Sequence, residues 1–332
     1  MRAKSFGAIS VAMCTYNGGR YLKEQLESIA SQTMLPCELI ACDDGSLDST
    51  VNIITAFAER APFKVRLVRN RKNLGSTKNF EQAISLCTGD LIALSDQDDW
   101  WSPTKLATLA KALFESGAGG VFSDGLLMDE SSHLTGKRLW NSFRFDSRSG
   151  AFSGTSEDNA AISMLLRQTV VTGATLMFQT VQRRHMLPFP KEWMHDSWQA
   201  WMLALHSRLQ AFPEPLIHYR VHDAQQAGIV PISILDKIKK SRATGLIEYR
   251  KLEQQFGVLT KYASTHPDIC GPEILQQIRE KHSHVGFRAG LYESPTNGLS
   301  RLMRILTEMR NYRLYSEGLR SMLKDGLSAG SS

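Results

Sequence analysis

Residues 91–101 read Leu91-Ile92-Ala93-Leu94-Ser95-Asp96-Gln97-Asp98-Asp99-Trp100-Trp101. The apolar run at the start is typical of a strand that is buried on both faces of a sheet. The three carboxylates that follow repel one another unless a cation lies among them. Mg²⁺ and Mn²⁺ prefer oxygen ligands and often use one or two carboxylates together with substrate phosphates. The stretch therefore predicts a buried strand that ends at a metal site; the alternative is an acidic turn that caps the next helix.

The same order of strand and helix extends over the first 125 residues. Short apolar runs predict strands at Ala8–Cys14, Glu38–Cys42, Val65–Val68 and Leu91–Leu94. A helical pattern follows each strand, and these patterns cover Tyr21–Ser31, Ser49–Arg60, Asn79–Leu86 and Pro103–Ser116. Strands that alternate with helices form α/β proteins with a mainly parallel sheet covered on both faces. In such sheets ligands bind beyond the carboxyl ends of the strands.

Polar side chains follow three of these four strands. Thr15, Tyr16 and Asn17 come after the first strand. Asp43 and Asp44 follow the second strand, and the acidic cluster follows the fourth. Because the carboxyl ends of parallel strands meet at one edge of the sheet, we expect these three loops to form a single site.

The patterns are weaker in the middle of the chain. Residues 131–170 are rich in Ser, Gly and Asn, which indicates a long loop with a helix near its end. We expect strands at Gly173–Gln179 and Leu216–Arg220, with a helix at His195–Leu205 between them.

A basic helical region is predicted at the C-terminal end. From Ile232 onward the pattern is helical, with breaks near Pro267, Pro272 and Pro295. Residues 231–332 contain 16 Lys and Arg against 10 Asp and Glu, whereas residues 1–230 contain 23 of each. We therefore expect two domains, a catalytic one over 1–230 and a helical one over 231–332.

The charge distribution bears on the partners of each predicted domain. A basic helical region suits contact with an anionic membrane or with another subunit in a homo-oligomer, and a solvated helix face is an equal alternative. The neutral first domain and its acidic site argue against nucleic acid as a partner.

Cysteines and apolar runs bear on the location of the protein. The five cysteines form no Cys-x-x-Cys pair and leave one over, which favours a reducing compartment. The first residues do not resemble a signal peptide, and no window approaches 18 uninterrupted apolar residues. We expect a cytoplasmic protein, with peripheral contact at the inner face of the membrane as an option.

Several blocks of the chain resemble the signature sequences of the family 2 glycosyltransferases. These blocks are Ala8–Asn17, Asp43–Ser46, Asn73–Gly75 and Leu94–Trp101. The resemblance implies the nucleotide-sugar fold called GT-A and inversion at the anomeric carbon. Leu94–Trp101, His195–Trp198 and Tyr219–His222 are similar to the rhamnosyltransferase branch. The resemblance spans residues 7–225, with the blocks in order at sensible spacing, and does not extend to residues 231–332.

The resemblance implies a donor site and a metal site. Thr15 and Tyr16 would contact the nucleoside base, and Asp43 or Asp44 would accept from a base N–H. Arg71 would lie near the diphosphate, and Asp96 would meet the ribose or the metal. The implied donor-binding residues are Thr15, Tyr16, Asn17, Asp43, Asp44, Arg71, Asn73, Gly75, Asp96 and Gln97.

The implied metal is Mg²⁺ or Mn²⁺, with Asp98 as its main ligand and Asp96 as a second one. His222 follows a predicted strand and an arginine, so it could reach the metal or the diphosphate from the far side. A structural histidine is the alternative.

Asp196 matches the catalytic base of the family. Inverting transfer needs a group that removes the proton of the acceptor hydroxyl as that hydroxyl attacks. A carboxylate at the start of a helix, among Trp193, Met194 and Trp198, suits this role, and the alternative is that Asp196 only caps the helix. The block reads His-Asp where many members have Glu-Asp, which leaves the role of His195 open.

The predicted function is transfer of a sugar from a nucleoside-diphosphate donor to a saccharide or lipid-linked acceptor, with inversion. The rhamnosyltransferase-like blocks point to deoxythymidine-diphosphate rhamnose as the donor, with a UDP-hexose as the alternative, in the synthesis of a cell-surface polysaccharide such as O-antigen. The dinucleotide motif G-x-G-x-x-G and the P-loop motif are both absent. A metal-dependent nucleotidyltransferase and a non-catalytic sugar-binding module are the alternatives.

Overall fold

The computed structural model describes residues 6–145, 160–222, 241–293 and 298–327. Its packing divides the chain into two compact units. The first unit is formed by the described parts of Met1–Ala161 and Val170–Val230, and the second by those of Ile162–Thr169 and Pro231–Ser332. The expected domain boundary at residues 230 and 231 lies outside the described residues.

The first unit is built around one mixed sheet. Its strands are β1 (Ile9–Thr15), β2 (Glu38–Asp43), β3 (Lys64–Arg69), β4 (Leu91–Ser95), β5 (Trp100–Trp101), β6 (Gly120–Met128), β7 (Leu134–Arg138), β8 (Leu176–Gln179) and β9 (Leu209–Arg220). The strand order is β3-β2-β1-β4-β8-β6-β9-β5, and β7 pairs with β6. The helices of this part of the chain are α1 (Leu22–Ala30), α2 (Thr50–Ala58), α3 (Ser76–Leu86), α4 (Lys105–Ser116), α5 (Leu139–Ser142), α6 (Ala160–Arg167), α7 (Arg183–Met186) and α8 (His195–His206). Residues 162–167 of α6 belong to the second unit.

Strands β1 to β4 form the parallel half and confirm the predicted α/β core. β1 pairs in parallel with both β2 and β4, and β2 pairs in parallel with β3. Every residue of β1, β2 and β4 is buried, as expected for strands covered on both faces. The edge strand β3 instead has exposed Lys64, Arg66 and Arg69, and charged side chains at a sheet edge discourage pairing with another chain.

The other half of the sheet contains the antiparallel pairs, which the sequence did not predict. β8 is antiparallel to both β4 and β6, and β5 is antiparallel to β9. β6 escaped the prediction because Asp124 interrupts its apolar run, yet this carboxylate is 2% exposed. Its Oδ2 accepts from Arg138 Nε at 2.7 Å and its Oδ1 from the Trp140 N–H at 3.0 Å, so the buried charge is compensated from a distant part of the chain.

Several predicted segments are corrected by the structure. The strand expected at Leu216–Arg220 begins seven residues earlier, at Leu209. The strand expected at Gly173–Gln179 begins only at Leu176, because Gly173–Thr175 form a 3₁₀ turn. The long loop expected over residues 131–170 contains β7 and α5, whereas the helix expected near its end is confirmed as α6. Residues 146–159 of that segment lie outside the described residues. Pro103 lies two residues before α4 and not in its first turn.

The second unit is helical, as predicted. Its helices are α9 (Ser241–Thr265), α10 (Pro267–Glu293), α11 (Gly298–Thr307), α12 (Met309–Tyr315) and α13 (Leu319–Leu327). The break near Pro267 is confirmed, and the break near Pro272 is a kink at Gly271, which has a φ of +60°. Pro295 lies outside the described residues.

A buried acid organises the core of this helical unit. Asp325 is fully buried and accepts hydrogen bonds from Arg288 Nε at 2.7 Å, Tyr312 Oη at 2.6 Å and Tyr292 Oη at 2.9 Å. Arg288 supplies the opposite charge that a buried carboxylate needs. None of the helices in the described ranges has the length and apolar character needed to cross a membrane.

Candidate active site

The loops after β1 and β2 are joined through Asp43. This fully buried carboxylate accepts from Thr15 Oγ1 at 3.1 Å and from the Ser46 N–H at 3.0 Å, and the Ser46 hydroxyl also donates to it. The Ser46 hydroxyl oxygen in turn accepts from the Asn17 N–H at 2.9 Å. Asp43 thereby fixes the relative position of two of the three loops predicted to form the site.

Asp44 organises the loop after β3. Its carboxylate accepts from Asn70 Nδ2 and from the N–H groups of Leu74 and Gly75, each at 2.8 Å. The side chain of Asn73 continues this network, since its Oδ1 accepts from the Gly75 N–H at 3.1 Å. Gly75 has a φ of +80°, a conformation that residues other than glycine rarely adopt. The acceptor oxygens of Asp43 and Asp44 are therefore already used by protein donors, and their contact with a nucleoside base stays a prediction.

Arg71 lies on the same loop and is exposed to solvent. Tyr16, on the loop after β1, is 40% exposed. Both side chains are therefore accessible to a ligand at the carboxyl edge of the parallel strands.

Gln97 joins the loop after β4 to the loop after β1. Its side-chain Oε1 accepts from the Tyr16 N–H at 2.8 Å, and its Nε2 donates to the Tyr16 carbonyl at 3.1 Å. A Cβ atom at Gly18 would lie 2.1 Å from Gln97 Oε1, so glycine is required beside this amide. Gln97 thus holds the exposed Tyr16 ring in place through its backbone.

Asp98 and His222 form the closest acid–imidazole contact of the site. Asp98 Oδ2 and His222 Nε2 lie 2.8 Å apart, and both side chains are largely buried, at 14% and 10% exposure. The ring of His222 also lies beside Tyr21, with the ring centroids 5.2 Å apart. His222 therefore lies beside the proposed metal ligand Asp98, and its predicted contact with the metal or the diphosphate stays a prediction.

Arg220 is a central residue of the candidate site, and the sequence predicted no role for it. Its fully buried guanidinium donates to the Asp98 carbonyl at 2.7 Å and to Glu24 Oε2 at 2.7 Å. Its backbone N–H donates to Asp99 Oδ1 at 3.1 Å. The guanidinium also lies over the Tyr21 ring, 4.3 Å from its centroid. The only signal in the sequence was an arginine at the end of an apolar strand, two residues before His222.

A second buried cation, Lys105, was not predicted. Its Nζ donates to the Ala174 carbonyl and lies 3.6 Å from the centroid of the Trp101 ring. Burial lowers the pKa of Lys105 to about 7, against the charges of Asp99 and Asp96. Burial also raises the pKa of Asp99 well above its usual range, and its Oδ2 has no hydrogen-bond partner among the described residues.

Asp96 links the acidic cluster to Asp196. Burial, together with the negative charges of Asp98 and then Asp196, raises the pKa of Asp96 to about 7. Asp196 comes one hundred residues later in the chain, yet its charge acts on Asp96. The two carboxylates therefore belong to one acidic region.

Asp196 lies in the first turn of α8, after the N-cap residue Met194. Its Oδ1 accepts from the N–H of Ser197 at 2.6 Å, and no side-chain cap hydrogen bond is made at Met194. Trp193 and Trp198 are both buried, with their ring centroids 5.9 Å apart, and their expected position around the Asp196 carboxylate stays a prediction. A carboxylate in the first turn is also favoured by the helix dipole.

His195, the residue before it, is buried and stacked on Phe80 with the ring centroids 4.0 Å apart. Neither ring nitrogen has a hydrogen-bond partner among the described residues. Burial lowers the pKa of His195, so the ring is held in its neutral form at neutral pH. A Cβ atom at Gly173 would lie 2.8 Å from His195 Nε2, which explains the glycine at that position.

The side chains give a partial fit to a divalent cation. Two atoms bound at right angles to one Mg²⁺ ion, with bonds near 2.1 Å, lie about 3 Å apart. Asp98 Oδ2 and His222 Nε2 meet this condition at 2.8 Å. In the described parts of the chain no three His, Cys, Asp or Glu side chains are grouped as a metal site. Substrate phosphates and water would have to complete the coordination, as is common for Mg²⁺.

Comparisons with known proteins identify the class of this site. The family model described as Glycosyl transferase family 2 matches residues 10–171. An uncharacterized glycosyltransferase of Nostoc sp. is 27% identical over 248 residues, which cover 71% of each chain.

Two solved structures are similar in fold. TarS 1-349 of S. aureus, in complex with UDP-GlcNAc, has a TM-score of 0.55 at 15% identity, with coverage of 97% of this chain and 89% of that one. The mannosyltransferase PcManGT from Pyrobaculum calidifontis, in complex with GDP-Man and Mn²⁺, has a TM-score of 0.53 at 17% identity, with coverage of 97% and 86%.

The matched residues include the loops that carry Asp43, Asp44 and the acidic cluster. On this match residues 10–171 belong to glycosyl transferase family 2, and the fold of the chain is similar to that of the solved glycosyltransferases above. Asp196 and His222 lie beyond the matched segment, so their roles rest on the geometry of this chain.

Proposed function

We propose that this family 2 glycosyltransferase transfers a sugar from a nucleoside-diphosphate donor to an acceptor hydroxyl with inversion, and that Asp196 is the base. The proposal is supported by the position of Asp196 beside Gly173, where a Cβ atom would lie 3.7 Å from Asp196 Cβ. The next residue, Ala174, accepts a hydrogen bond from Lys105, and the charge of Asp196 helps to raise the pKa of Asp96. A carboxylate from α8 and the acidic end of β4 thus share one region, as a base and a donor site must.

The proposed reaction forms one bond and breaks one. The acceptor oxygen attacks the anomeric carbon from the face opposite the diphosphate, and its proton passes to the Asp196 carboxylate. The bond from the anomeric carbon to the diphosphate oxygen breaks, and the nucleoside diphosphate leaves with the electron pair. Proton removal by a positioned carboxylate is typically worth about 10²–10⁴ in rate.

A divalent cation, Mg²⁺ or Mn²⁺, is the proposed cofactor, with Asp98 and His222 as its protein ligands. Such an ion, when bound, neutralises the charge that develops on the diphosphate. A cation between the two side chains would replace the hydrogen bond that they share at 2.8 Å, and the Mn²⁺ named with PcManGT is consistent with this assignment. Arg220 keeps Asp98 in place through the Asp98 carbonyl, so the ligand does not depend on the ion for its position.

The donor is proposed to lie against the loops after β1, β2 and β3. The accessible Tyr16 ring offers a surface for the nucleoside base, and Arg71 offers a positive charge near the diphosphate. The donors named with the two solved relatives, UDP-GlcNAc and GDP-Man, are both nucleoside-diphosphate sugars. The rhamnosyltransferase-like blocks favour deoxythymidine-diphosphate rhamnose as the donor, and a UDP-hexose is the alternative. The proposed acceptor is a growing cell-surface polysaccharide or a lipid-linked saccharide.

The experiment is a panel of nucleotide sugars incubated with the enzyme, with and without Mn²⁺, and scored for released nucleoside diphosphate. We expect turnover with one nucleotide sugar, loss of turnover in EDTA, and a product of inverted anomeric configuration. Release of pyrophosphate from a nucleoside triphosphate, with no turnover of any nucleotide sugar, would contradict the proposal. A product of retained configuration would contradict the role given to Asp196.

A further inference from the structure

The end of the helical unit exposes an unusual amount of apolar surface. Of the sixteen large apolar side chains that are exposed in the described residues, eight lie within residues 298–327. On α11 these are Leu299, Leu302, Met303 and Leu306, and on α13 they are Leu319 and Leu323. We call these six residues the exposed apolar face. Exposed apolar side chains that share one helix face mark a site of interaction with a partner or a membrane.

The spacing gives α11 one apolar side. Residues 299, 302, 303 and 306 follow the i, i+3, i+4, i+7 pattern of a single helix face. Their exposed fractions are large, at 73% for Leu299 and 56% for Met303. The helix is therefore amphipathic in the unusual sense that its apolar side points into solvent.

The opposite side of α11 is anchored, which fixes this orientation. Arg301 and Ile305 are buried on that side. Arg301 donates through Nε to the Asp325 carbonyl at 2.7 Å and through NH1 to the Leu291 carbonyl. Rotating α11 to bury the leucines would break these buried hydrogen bonds, and each broken bond would leave a costly unpaired group. The exposed apolar face is therefore a stable feature of the folded unit.

Positive charge accompanies the exposed apolar face. Exposed cations on α12 and α13 are Arg310, Arg313, Arg320 and Lys324. Within residues 298–327, the exposed acidic residue is Glu317, which pairs with Arg320 at 3.1 Å. Glu308 is partly buried and Asp325 is fully buried. Arg310 also lies 3.8 Å from Glu280 of α10. The exposed side chains of α11 to α13 thus carry more positive than negative charge.

We propose that the exposed apolar face binds the surface of a membrane that contains anionic lipids. An amphipathic helix that combines apolar side chains with flanking Lys and Arg inserts its apolar side among the headgroups, while the cations attract anionic lipid. A second copy of this chain would bring the same cations close to one another, and like charges repel. Anionic lipid supplies both the apolar medium and the opposite charge.

The test is vesicle flotation of the full-length protein without donor or acceptor, so its result does not depend on the proposed function. Vesicles of phosphatidylcholine alone are compared with vesicles that also contain phosphatidylglycerol. We expect binding only to the anionic vesicles, and weaker binding at high salt because the charges are screened. The triple variant Leu302→Ser, Met303→Ser, Leu306→Ser should bind at least about tenfold more weakly, since burial of one leucine side chain is worth roughly that factor or more.

Two sets of variants make the test specific. Replacing Arg310, Arg313, Arg320 and Lys324 with Gln should abolish the preference for anionic vesicles. The matched control replaces four exposed lysines of the first unit, Lys23, Lys111, Lys137 and Lys191, with Gln and should bind as the wild type does. All substituted leucines and methionines are exposed, so melting temperatures should be retained.

Three results would overturn the proposal. The first is wild-type protein that stays with the unbound fraction at low salt. The second is a triple variant that binds as tightly as the wild type. The third is a wild-type oligomer in light scattering that the triple variant converts to a monomer, since the exposed apolar face would then be an interface between copies of the chain.

Discussion

Asp98 Oδ2 and His222 Nε2 lie 2.8 Å apart, although the two residues are separated by 124 positions in the chain. The contact joins the acidic loop after β4 to the residues that follow β9. Arg220 strengthens it, because its guanidinium binds the Asp98 carbonyl while its backbone N–H binds Asp99. A site assembled in this way keeps its negative side chains in position before any ligand arrives.

The first prediction concerns the proposed metal. Asp98→Asn should abolish transfer, and His222→Ala should weaken Mn²⁺ binding at least about tenfold, because each variant removes one of two protein ligands. The measurement is a calorimetric titration of Mn²⁺ in the presence of nucleoside diphosphate, together with kcat. Asp268→Asn, at an exposed position in the helical unit, is the control and should behave as the wild type does. Full activity of the wild type in EDTA would show that the metal role is wrong.

The second prediction concerns the contact between Gln97 and the Tyr16 backbone. Gly18→Ala places a methyl group against Gln97 Oε1, and Gln97→Glu turns a donor to the Tyr16 carbonyl into a repelling carboxylate. Both variants should raise the KM for the donor more than they lower kcat, because the Tyr16 loop would lose its support. Steady-state kinetics with the preferred donor measures this effect.

Gly290→Ala is the matched control for the glycine substitution. Gly290 lies inside α10, and a Cβ atom there would meet nothing within 4 Å. Alanine should therefore stabilise the helix by up to about 1 kcal/mol and leave the KM unchanged. An unchanged donor KM in both Gly18→Ala and Gln97→Glu would show that the contact between Gln97 and the Tyr16 backbone does not support donor binding.

The third prediction concerns the pH dependence of stability. Burial lowers the pKa of Lys281 to about 7, and its Nζ donates to the Tyr315 carbonyl at 2.7 Å. In the unfolded chain a lysine has a pKa near 10.4. Between about pH 7 and pH 10 the unfolded state therefore holds a proton that the folded state has released, so the free energy of unfolding rises with pH in this window.

Urea unfolding at several pH values measures the size of this effect. Lys281 contributes at most about 1.4 kcal/mol per pH unit, and Lys281→Met should remove that part of the slope. Lys261→Met, at an exposed position on α9, should keep the slope of the wild type. Equal slopes for the wild type and Lys281→Met would mean that Lys281 is not held neutral in the folded protein.

Local patterns were sufficient to predict the parallel half of the sheet. The strands β1 to β4 are continuous apolar runs or short alternating ones, and each observed end lies within one residue of the prediction. The local pattern of apolar side chains is enough to predict these strands, because their burial does not depend on a polar partner far away in the chain. The carboxyl-edge rule predicted that the loops after these strands lie together, and hydrogen bonds of Asp43 and Gln97 join them. That these loops bind the donor stays a prediction.

The rest depended on partners far away in the chain. β6 was missed because Asp124 looks like a loop residue until Arg138 and Trp140 are seen to satisfy it. The sequence likewise showed that Asp44 follows a strand, but not that the loop after β3 folds around its carboxylate. Lys105 gave no signal, since a lysine in a helix is usually exposed, and only the fold buries it against Trp101.

Asp196 is proposed to remove the acceptor proton, and one variant tests this role. Asp196→Asn keeps the size of the side chain and its ability to accept from the Ser197 N–H, but it loses basicity. If Asp196 served only the first turn of α8, the change would cost about 1 kcal/mol of stability and leave turnover nearly unchanged. Asp268→Asn, another aspartate in the first turn of a helix, is the matched control.

The decisive measurement is kcat of Asp196→Asn with saturating donor and acceptor, with donor Kd and melting temperature recorded on the same sample. If Asp196 is the base, kcat should fall by at least about a hundredfold, since general-base catalysis is worth about 10²–10⁴ in rate. The donor Kd should stay within a few-fold of the wild-type value. A variant that melts at a slightly lower temperature but turns over at the wild-type rate would show that Asp196 is not the base, and His195 would be the next residue to test.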